Sequence, residues 1–296
     1  MVNGAPMIAS LNTSVLAIDG GGTRCRLAWA VGDIVTHVET GPANVTTDFH
    51  GAVSEILQGL EELSKKTGMS LERFHNTPAF IGLAGAVGDA IINRLKAALP
   101  FQIMHVADDR PAAVRGALGT TNGVVAHCGT GSFLAAQNDG MMRFVGGWGP
   151  VLGDEASAQW VGRQALHIAL ECEDGLKDHS DLTRQLLSAY GGAAGLVEFA
   201  STASPTEFGA IAPQVTQLAK SADVWATHVM QMGAGYIAAT LASLGWTPDQ
   251  TLCLTGGIGA QFLPFLPTDM QTTYKPPVGT PLGGAVSLAQ DFASEL

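Results

Sequence analysis

A strand, a glycine-rich turn, a second strand, a tight turn and a third strand occur twice in this chain, and the duplication constrains its fold more than any other feature. In the first half, Val15-Leu16-Ala17-Ile18-Asp19 runs into Gly20-Gly21-Gly22-Thr23. An apolar run follows from Cys25 to Val31, and Gly32-Asp33 turns into a third strand over 34–39. In the second half, the apolar stretch 123–128 runs into Gly129-Thr130-Gly131-Ser132. Residues 133–137 read as a strand, and Asn138-Asp139-Gly140 turns into 141–145. Apolar runs punctuated by Gly, Asn and Asp are the pattern of hairpin-connected strands. A repeat of this size predicts two related lobes with a cleft between them.

Between the two repeats the pattern becomes helical. Val53, Ile56, Leu57, Leu60 and Leu63 form one apolar face, with Glu55, Glu61, Glu62 and Lys65 on the others. A short buried strand is expected at 79–83, a helix at 90–99, a strand at 101–106, and a helix with Pro111 in its first turn running to about Leu118. This alternation after an antiparallel start indicates an α/β lobe with a mixed sheet. The segment 119–123 is the expected boundary, dividing a first lobe of 1–119 from a second of 120–284. The last helix, 285–296, is left open to joining the first lobe. Past residue 145 the chain reads as mostly helical, with breaks at Gly191-Gly192 and Ser204-Pro205, until a strand at 251–254 and the turn Thr255-Gly256-Gly257.

The formal net charge of −11 comes with no run of Lys or Arg, which argues against nucleic acid or an anionic membrane as a partner. An anionic ligand must then be held by backbone amides or a metal. Charged residues make up 14% and hydrophobic ones 46%, a balance that excludes disorder. The opening residues lack a cationic, apolar leader pattern, and Cys25, Cys128, Cys172 and Cys253 form no CxxC pair. Reduced thiols, no zinc site and a cytoplasmic location are therefore expected. Residues 224–244 carry no charge and are long enough to span a bilayer, but Thr227, His228, Gln231, Thr240 and Ser243 interrupt them, so a buried helix is expected.

The turn after Asp19 lies between two strands, so it is neither a Rossmann fingerprint nor a P-loop, which place their glycines between a strand and a helix. Glycines here bring backbone N–H groups close to a phosphate, Thr23 adds a hydroxyl, and Asp19 is a candidate for hydrated Mg²⁺. By itself this turn is equally a simple hairpin with a capping Asp. Its recurrence at Gly129, Thr130, Gly131 and Ser132 favours two phosphate-binding turns that hold a polyphosphate from both sides. Gly256, Gly257 and Gly284 offer side-chain-free surface for an adenine, a weak signal because Gly-Gly is common punctuation.

In this order the motifs resemble the sugar-kinase, heat-shock-protein and actin superfamily. Within it, Gly146-Gly147-Trp148-Gly149-Pro150-Val151-Leu152-Gly153-Asp154-Glu155 resembles the N-acetylglucosamine kinase-like, or BadF/BadG/BcrA/BcrD ATPase, family. The resemblance implies a two-lobed α/β actin-like (ribonuclease H-like) ATPase fold, with mixed sheets flanked by helices around a central cleft. It implies ATP and Mg²⁺ as cofactors, a small amino sugar as partner, and a homodimer. The implied reaction is transfer of the γ-phosphoryl group to the 6-hydroxyl of N-acetylglucosamine or glucosamine.

Residue by residue, the resemblance gives the nucleotide to Gly20, Gly21, Gly22, Thr23, Gly129, Thr130, Gly131, Ser132, Gly256, Gly257 and Gly284, and the metal to Asp19. It gives the sugar to Asn44, Ala84, Gly85, Asp109, Gly147, Trp148 and Asp154, and the catalytic role to Asp109. Two positions depart from the family pattern. Asp108 stands where Asn is common and is expected to raise the pKa of Asp109, and Ala156 stands where Gly is common. Taken singly, Asn44 also reads as a turn former, Asp154 as a helix cap and Trp148 as a core residue. His127, Cys25 and Cys128 read as packing residues. Two alternatives stay open. A dehydratase-activating ATPase of the same family would need cysteines placed for an iron–sulfur cluster, and a non-catalytic sugar-binding descendant would keep the pocket without the reaction.

Overall fold

The computed structural model describes residues 14–296 and divides into two compact units. One comprises the described residues up to Gly119 together with Val278–Leu296, and the other comprises Thr120–Pro277.

In the first unit, strands β1 (Ser14–Gly20), β2 (Cys25–Val31) and β3 (Ile34–Thr40) form an antiparallel meander. Helices α1 (Phe49–Thr67) and α2 (Leu71–His75) follow, then β4 (Ala79–Leu83), α3 (Asp89–Ala98), β5 (Met104–Ala107) and α4 (Arg110–Leu118). The five strands are ordered β3-β2-β1-β4-β5, with β4 and β5 parallel to β1. Strand alternation sends Leu16 and Ile18 into a core with Leu27, Ile56, Leu60 and Leu63, while Val15 and Ala17 face a core built on Ala112, Ala285 and Ala289. Asp48 caps α1, its Oδ1 accepting from Gly51 N at 2.9 Å, and left-handed Gly68 ends it.

In the second unit, β6 (Gly123–Cys128), β7 (Ser132–Asn138) and β8 (Met141–Gly146) repeat the meander. Helices α5 (Ala158–Glu173), α6 (Asp181–Tyr190), α7 (Ala193–Thr202), α8 (Pro205–Gly209), α9 (Ala212–Lys220) and α10 (Val224–Ser243) come next. They are followed by β9 (Thr251–Thr255), which pairs parallel with β6. A 3₁₀ turn over Gly259–Phe265 and the short α11 (Thr268–Thr273) lead out of the unit, and α12 (Pro281–Ser294) closes the chain.

Helix α10 is the uncharged stretch considered for a bilayer. It is buried among α5, α9 and the sheet, with Val229, Met230, Ile237 and Leu241 in the core. No helix among the described residues is long and apolar enough to cross a membrane. Asp223 caps it, accepting from Trp225 N and Ala226 N at 3.0 Å each and from Leu182 N at 3.1 Å.

Three sequence expectations need correcting. The strand expected over 101–106 begins only at Met104, because the chain before it is a bend, with Gln102 N bonded to His75 O at 2.9 Å. The last helix starts at Pro281, capped by Thr280, and not near Ala285. The second unit accordingly ends at Pro277 and not at residue 284. Val278 N and Gly279 N bond back to Ala117 O and Gly116 O, so the final helix packs on α4 and β1.

Candidate active site

The parallel strands of the first unit bring three chemical positions to one end of the sheet. Asp19 of β1 is in register with Gly82 of β4, and Gly82 with Ala107 of β5, after which come Asp108 and Asp109. The C-terminal ends of such strands are where open α/β sheets bind ligands. Backbone hydrogen bonds tie three loops together there. Ala84 N donates to Gly20 O at 2.8 Å, Ala43 N to Gly21 O at 2.9 Å and Val45 N to Ala84 O at 3.0 Å. The glycine turn, the Asn44 loop and the Ala84-Gly85 turn are thus one surface. Gly20 is buried, and a Cβ on it would meet Leu83 and Ala43, whereas Gly22 and Thr23 are exposed.

Asn44 spends its Oδ1 on the loop itself, accepting from Thr46 N at 3.0 Å and Thr47 N at 3.2 Å. Gly85, at φ +82°, brings its α-carbon against that same Oδ1 and Thr46, leaving no room for a Cβ. The turn-forming reading of Asn44 is therefore correct, and the loop it stiffens holds its amide beside Gly85.

Asp19 is 7% exposed and faces Arg26, its direct cross-strand partner. Arg26 Nη1 donates to Asp19 Oδ2 at 3.3 Å, and Arg26 Nε also donates to Glu39 Oε2 at 3.0 Å. Burial raises the Asp19 pKa, with Arg26 opposing. One carboxylate at the mouth of a glycine turn fits Mg²⁺, which keeps most of its waters and takes one or two carboxylates with substrate phosphates. Among the described residues, no group of three or more His, Cys, Asp or Glu is placed to hold an ion by protein ligands alone.

Asp109 precedes α4 without capping it. Its carboxyl is pushed up to about 6, first by burial and then by the negative charges of Asp108 and Asp19. Asp108 is held by Arg110 through three contacts, from the backbone N at 2.9 Å, Nε at 2.8 Å and Nη2 at 2.9 Å.

In the second unit, the turn Gly129–Ser132 is braced from the segment over 154–159. Asp154 Oδ1 accepts from Ser132 N at 3.4 Å, Asp154 Oδ2 accepts from Gln159 Nε2 at 3.0 Å, Ser132 Oγ donates to Glu155 O at 2.6 Å, and Ala158 N donates to Gly129 O at 2.8 Å. Asp154 is buried, which raises its pKa against these donors. It does not cap a helix, because α5 starts at Ala158 under Ser157. Ala156 has φ +63°, a left-handed conformation that favours glycine. Trp148 is 71% exposed, so it is not core, and it stands with exposed Val151 and Leu152 on a loop entered through left-handed Gly146, Gly147 and Gly149. Thr130, Gly256 and Gly257 are exposed, and a Cβ on Gly256, at φ +80°, would collide with Cys128 O.

Gly284 requires a correction. It is buried on α12 against Ala112 O and Gly116 of α4, so its missing side chain serves helix–helix contact within the first unit and not an open adenine surface. Arg26, Arg110 and Gln159 were not picked out from sequence. Arg26 was accessible in principle, since a hairpin turning over 21–24 places it opposite Asp19. Gln159 was not, because a left-handed loop separates it from Asp154.

The family model described as the BadF/BadG/BcrA/BcrD ATPase family matches residues 16–266. The chain is 25% identical to the glucosamine kinase GspK of Vibrio cholerae, over 93% of this chain and 95% of that one. It is 32% identical to an N-acetylmuramic acid/N-acetylglucosamine kinase of Clostridium acetobutylicum, over 54% of each chain. A crystal structure from Chromobacterium violaceum, provisionally named an N-acetylglucosamine kinase, superposes with a TM-score of 0.79 at 27% identity, covering 95% of this chain and 100% of that one. The actin-like α/β fold expected from the motifs is the fold observed. The match over residues 16–266, with both glycine turns and the 146–155 segment inside it, makes this chain a member of the BadF/BadG/BcrA/BcrD ATPase family.

Proposed function

We propose that this protein is an ATP-dependent amino-sugar kinase that transfers the γ-phosphoryl group to the 6-hydroxyl of glucosamine or N-acetylglucosamine. Asp109 carries this reading. A carboxyl lifted to about 6 at the C-terminal ends of the parallel strands of the mixed sheet is poised to accept a hydroxyl proton near neutral pH. The names borne by the Vibrio cholerae and Chromobacterium violaceum relatives support the same substrate class.

Phosphoryl transfer has a loose transition state, so the protein's work is positioning and charge neutralisation. In the first unit, the exposed backbone of Gly22 and Thr23 binds phosphate, Asn44 and the Ala84-Gly85 turn orient the sugar, and Asp109 takes the proton as the bond to phosphorus forms. In the second unit, Gly129–Ser132 binds phosphate, Gly256 and Gly257 support the nucleoside, and Trp148 and Asp154 contact the sugar. Mg²⁺, when bound, supplies positive charge to the phosphates, and Asp19 is the residue that holds it through water. The test is incubation with Mg-ATP and glucosamine or N-acetylglucosamine, followed by phosphorus and carbon NMR of the product. A 6-phosphate is expected, and a phosphate on any other oxygen overturns the assigned regiochemistry.

A further inference from the structure

His127 sits between the two turns of the second unit and touches both. It is the penultimate residue of β6, in register with Thr255 of β9 on one side and Phe133 of β7 on the other. Its ring stacks on Phe133, with centroids 5.0 Å apart and planes 15° from parallel. Nδ1 and Thr255 Oγ1 share a hydrogen bond of 3.0 Å. At the other end of the ring, Nε2 lies 3.2 Å from where a Cβ on Gly129 would stand. Cys128, between His127 and Gly129, accepts from Ile258 N at 3.1 Å, and Gly256 closes on the same carbonyl.

We infer that His127 is a positioning residue for nucleotide binding, locking the Gly129–Ser132 turn to the Thr255-Gly256-Gly257 turn through the Thr255 hydroxyl. The inference rests on reading those two turns as the phosphate and nucleoside supports. A buried imidazole needs a partner for its ring nitrogen, and here that partner is the Thr255 hydroxyl at the end of the adjacent strand, so the bond that satisfies the ring also ties the two turns together. Burial brings the His127 pKa down to about 4, so the ring is neutral over the working range and the link does not titrate there.

The test uses the full chain and measures equilibrium binding of a non-hydrolysable ATP analogue with Mg²⁺ by calorimetry, alongside KM for ATP and for the sugar. Thr255→Val keeps the shape and removes the hydroxyl, Thr255→Ser restores it, and His127→Phe keeps the stack and removes Nδ1. Thr255→Val and His127→Phe are each expected to weaken analogue binding roughly 3- to 10-fold, the range for one lost hydrogen bond. Thr255→Ser should bind like the parent, the double variant no worse than the weaker single, and KM for the sugar should not move. Binding by Thr255→Val that matches the parent overturns the inference, as does equal weakening by Thr255→Val and Thr255→Ser. Should His127→Phe fail to fold, the Thr255 pair decides alone. A parent chain that binds the analogue but phosphorylates no sugar refutes the kinase reading and leaves the link to be judged by its variants. A parent chain that binds no nucleotide refutes both.

Discussion

Arg110 grips Asp108 in a two-pronged ion pair, Nε on Oδ1 at 2.8 Å and Nη2 on Oδ2 at 2.9 Å, and thereby fixes a negative charge next to Asp109. The pair explains how an Asp is held at this position beside a second carboxyl group. Its charge is tied down by the neighbouring guanidinium, yet it remains close enough to oppose ionisation of Asp109. Asp108→Asn removes that charge. The acidic limb of the kcat/KM profile, expected near pH 6 in the parent, should move to lower pH, and an unchanged profile would remove Asp108 from the account.

Asp109→Asn separates activity from stability. Loss of a general base costs about 10²–10⁴-fold in turnover. The raised pKa has the opposite sign for folding. The folded state holds the Asp109 proton up to about pH 6 while the unfolded chain releases it near the ordinary aspartate value of 3.8, so stability is lost as pH rises through that window. The Asn variant, which cannot ionise, should melt higher than the parent at pH 7 and show less advantage at pH 4. Thermal melts at the two pH values check this, and a variant that is less stable at pH 7 contradicts it.

Gly284→Ala tests the helix contact. A methyl at that position would be driven into Ala112 O and Gly116, and both helices would have to separate. Overpacking of this kind costs about 1–3 kcal/mol. Chemical denaturation should show that loss with no change in the denaturant dependence, and a neutral result would mean that α4 and α12 give way easily.

Asp154→Asn keeps the shape of a buried side chain held by Ser132 N and Gln159 while removing its charge. If Asp154 accepts from sugar hydroxyls, KM for the sugar should rise about 10-fold or more, because charge-assisted hydrogen bonds contribute about 1.5–3 kcal/mol. Steady-state kinetics with the sugar varied decides, and an equal rise in KM for ATP would show that Asp154 instead serves the Gly129–Ser132 turn.

Much of the fold was legible in the sequence because it is written in local patterns. The duplicated meander follows from alternation and turn residues, and Ile56, Leu60 and Leu63 lie buried in α1 as their spacing implied, whereas Val53 is half-buried and Leu57, expected on the same face, is exposed because it sits at the edge of the stripe. The uncharged stretch in α10 was legible as a buried helix because polar residues break it at several points. What local pattern does not encode was missed or misread. Gly284 looks like any glycine before a helix, and only the packing of α12 on α4 reveals why it has no side chain. Asp154 and Ala156 are left-handed without being glycine, so nothing in their identity announces a turn that holds a carboxylate on Ser132. The His127–Thr255 link joins residues 128 positions apart and depends on strand order alone.

The most direct test of the account is ADP release from Mg-ATP with glucosamine, N-acetylglucosamine, N-acetylmannosamine, glucose or no sugar. Release that depends on glucosamine or N-acetylglucosamine and is low without sugar is the result predicted. Release at the same rate with every sugar and with none would contradict it, and would identify an ATPase whose acceptor is not an amino sugar.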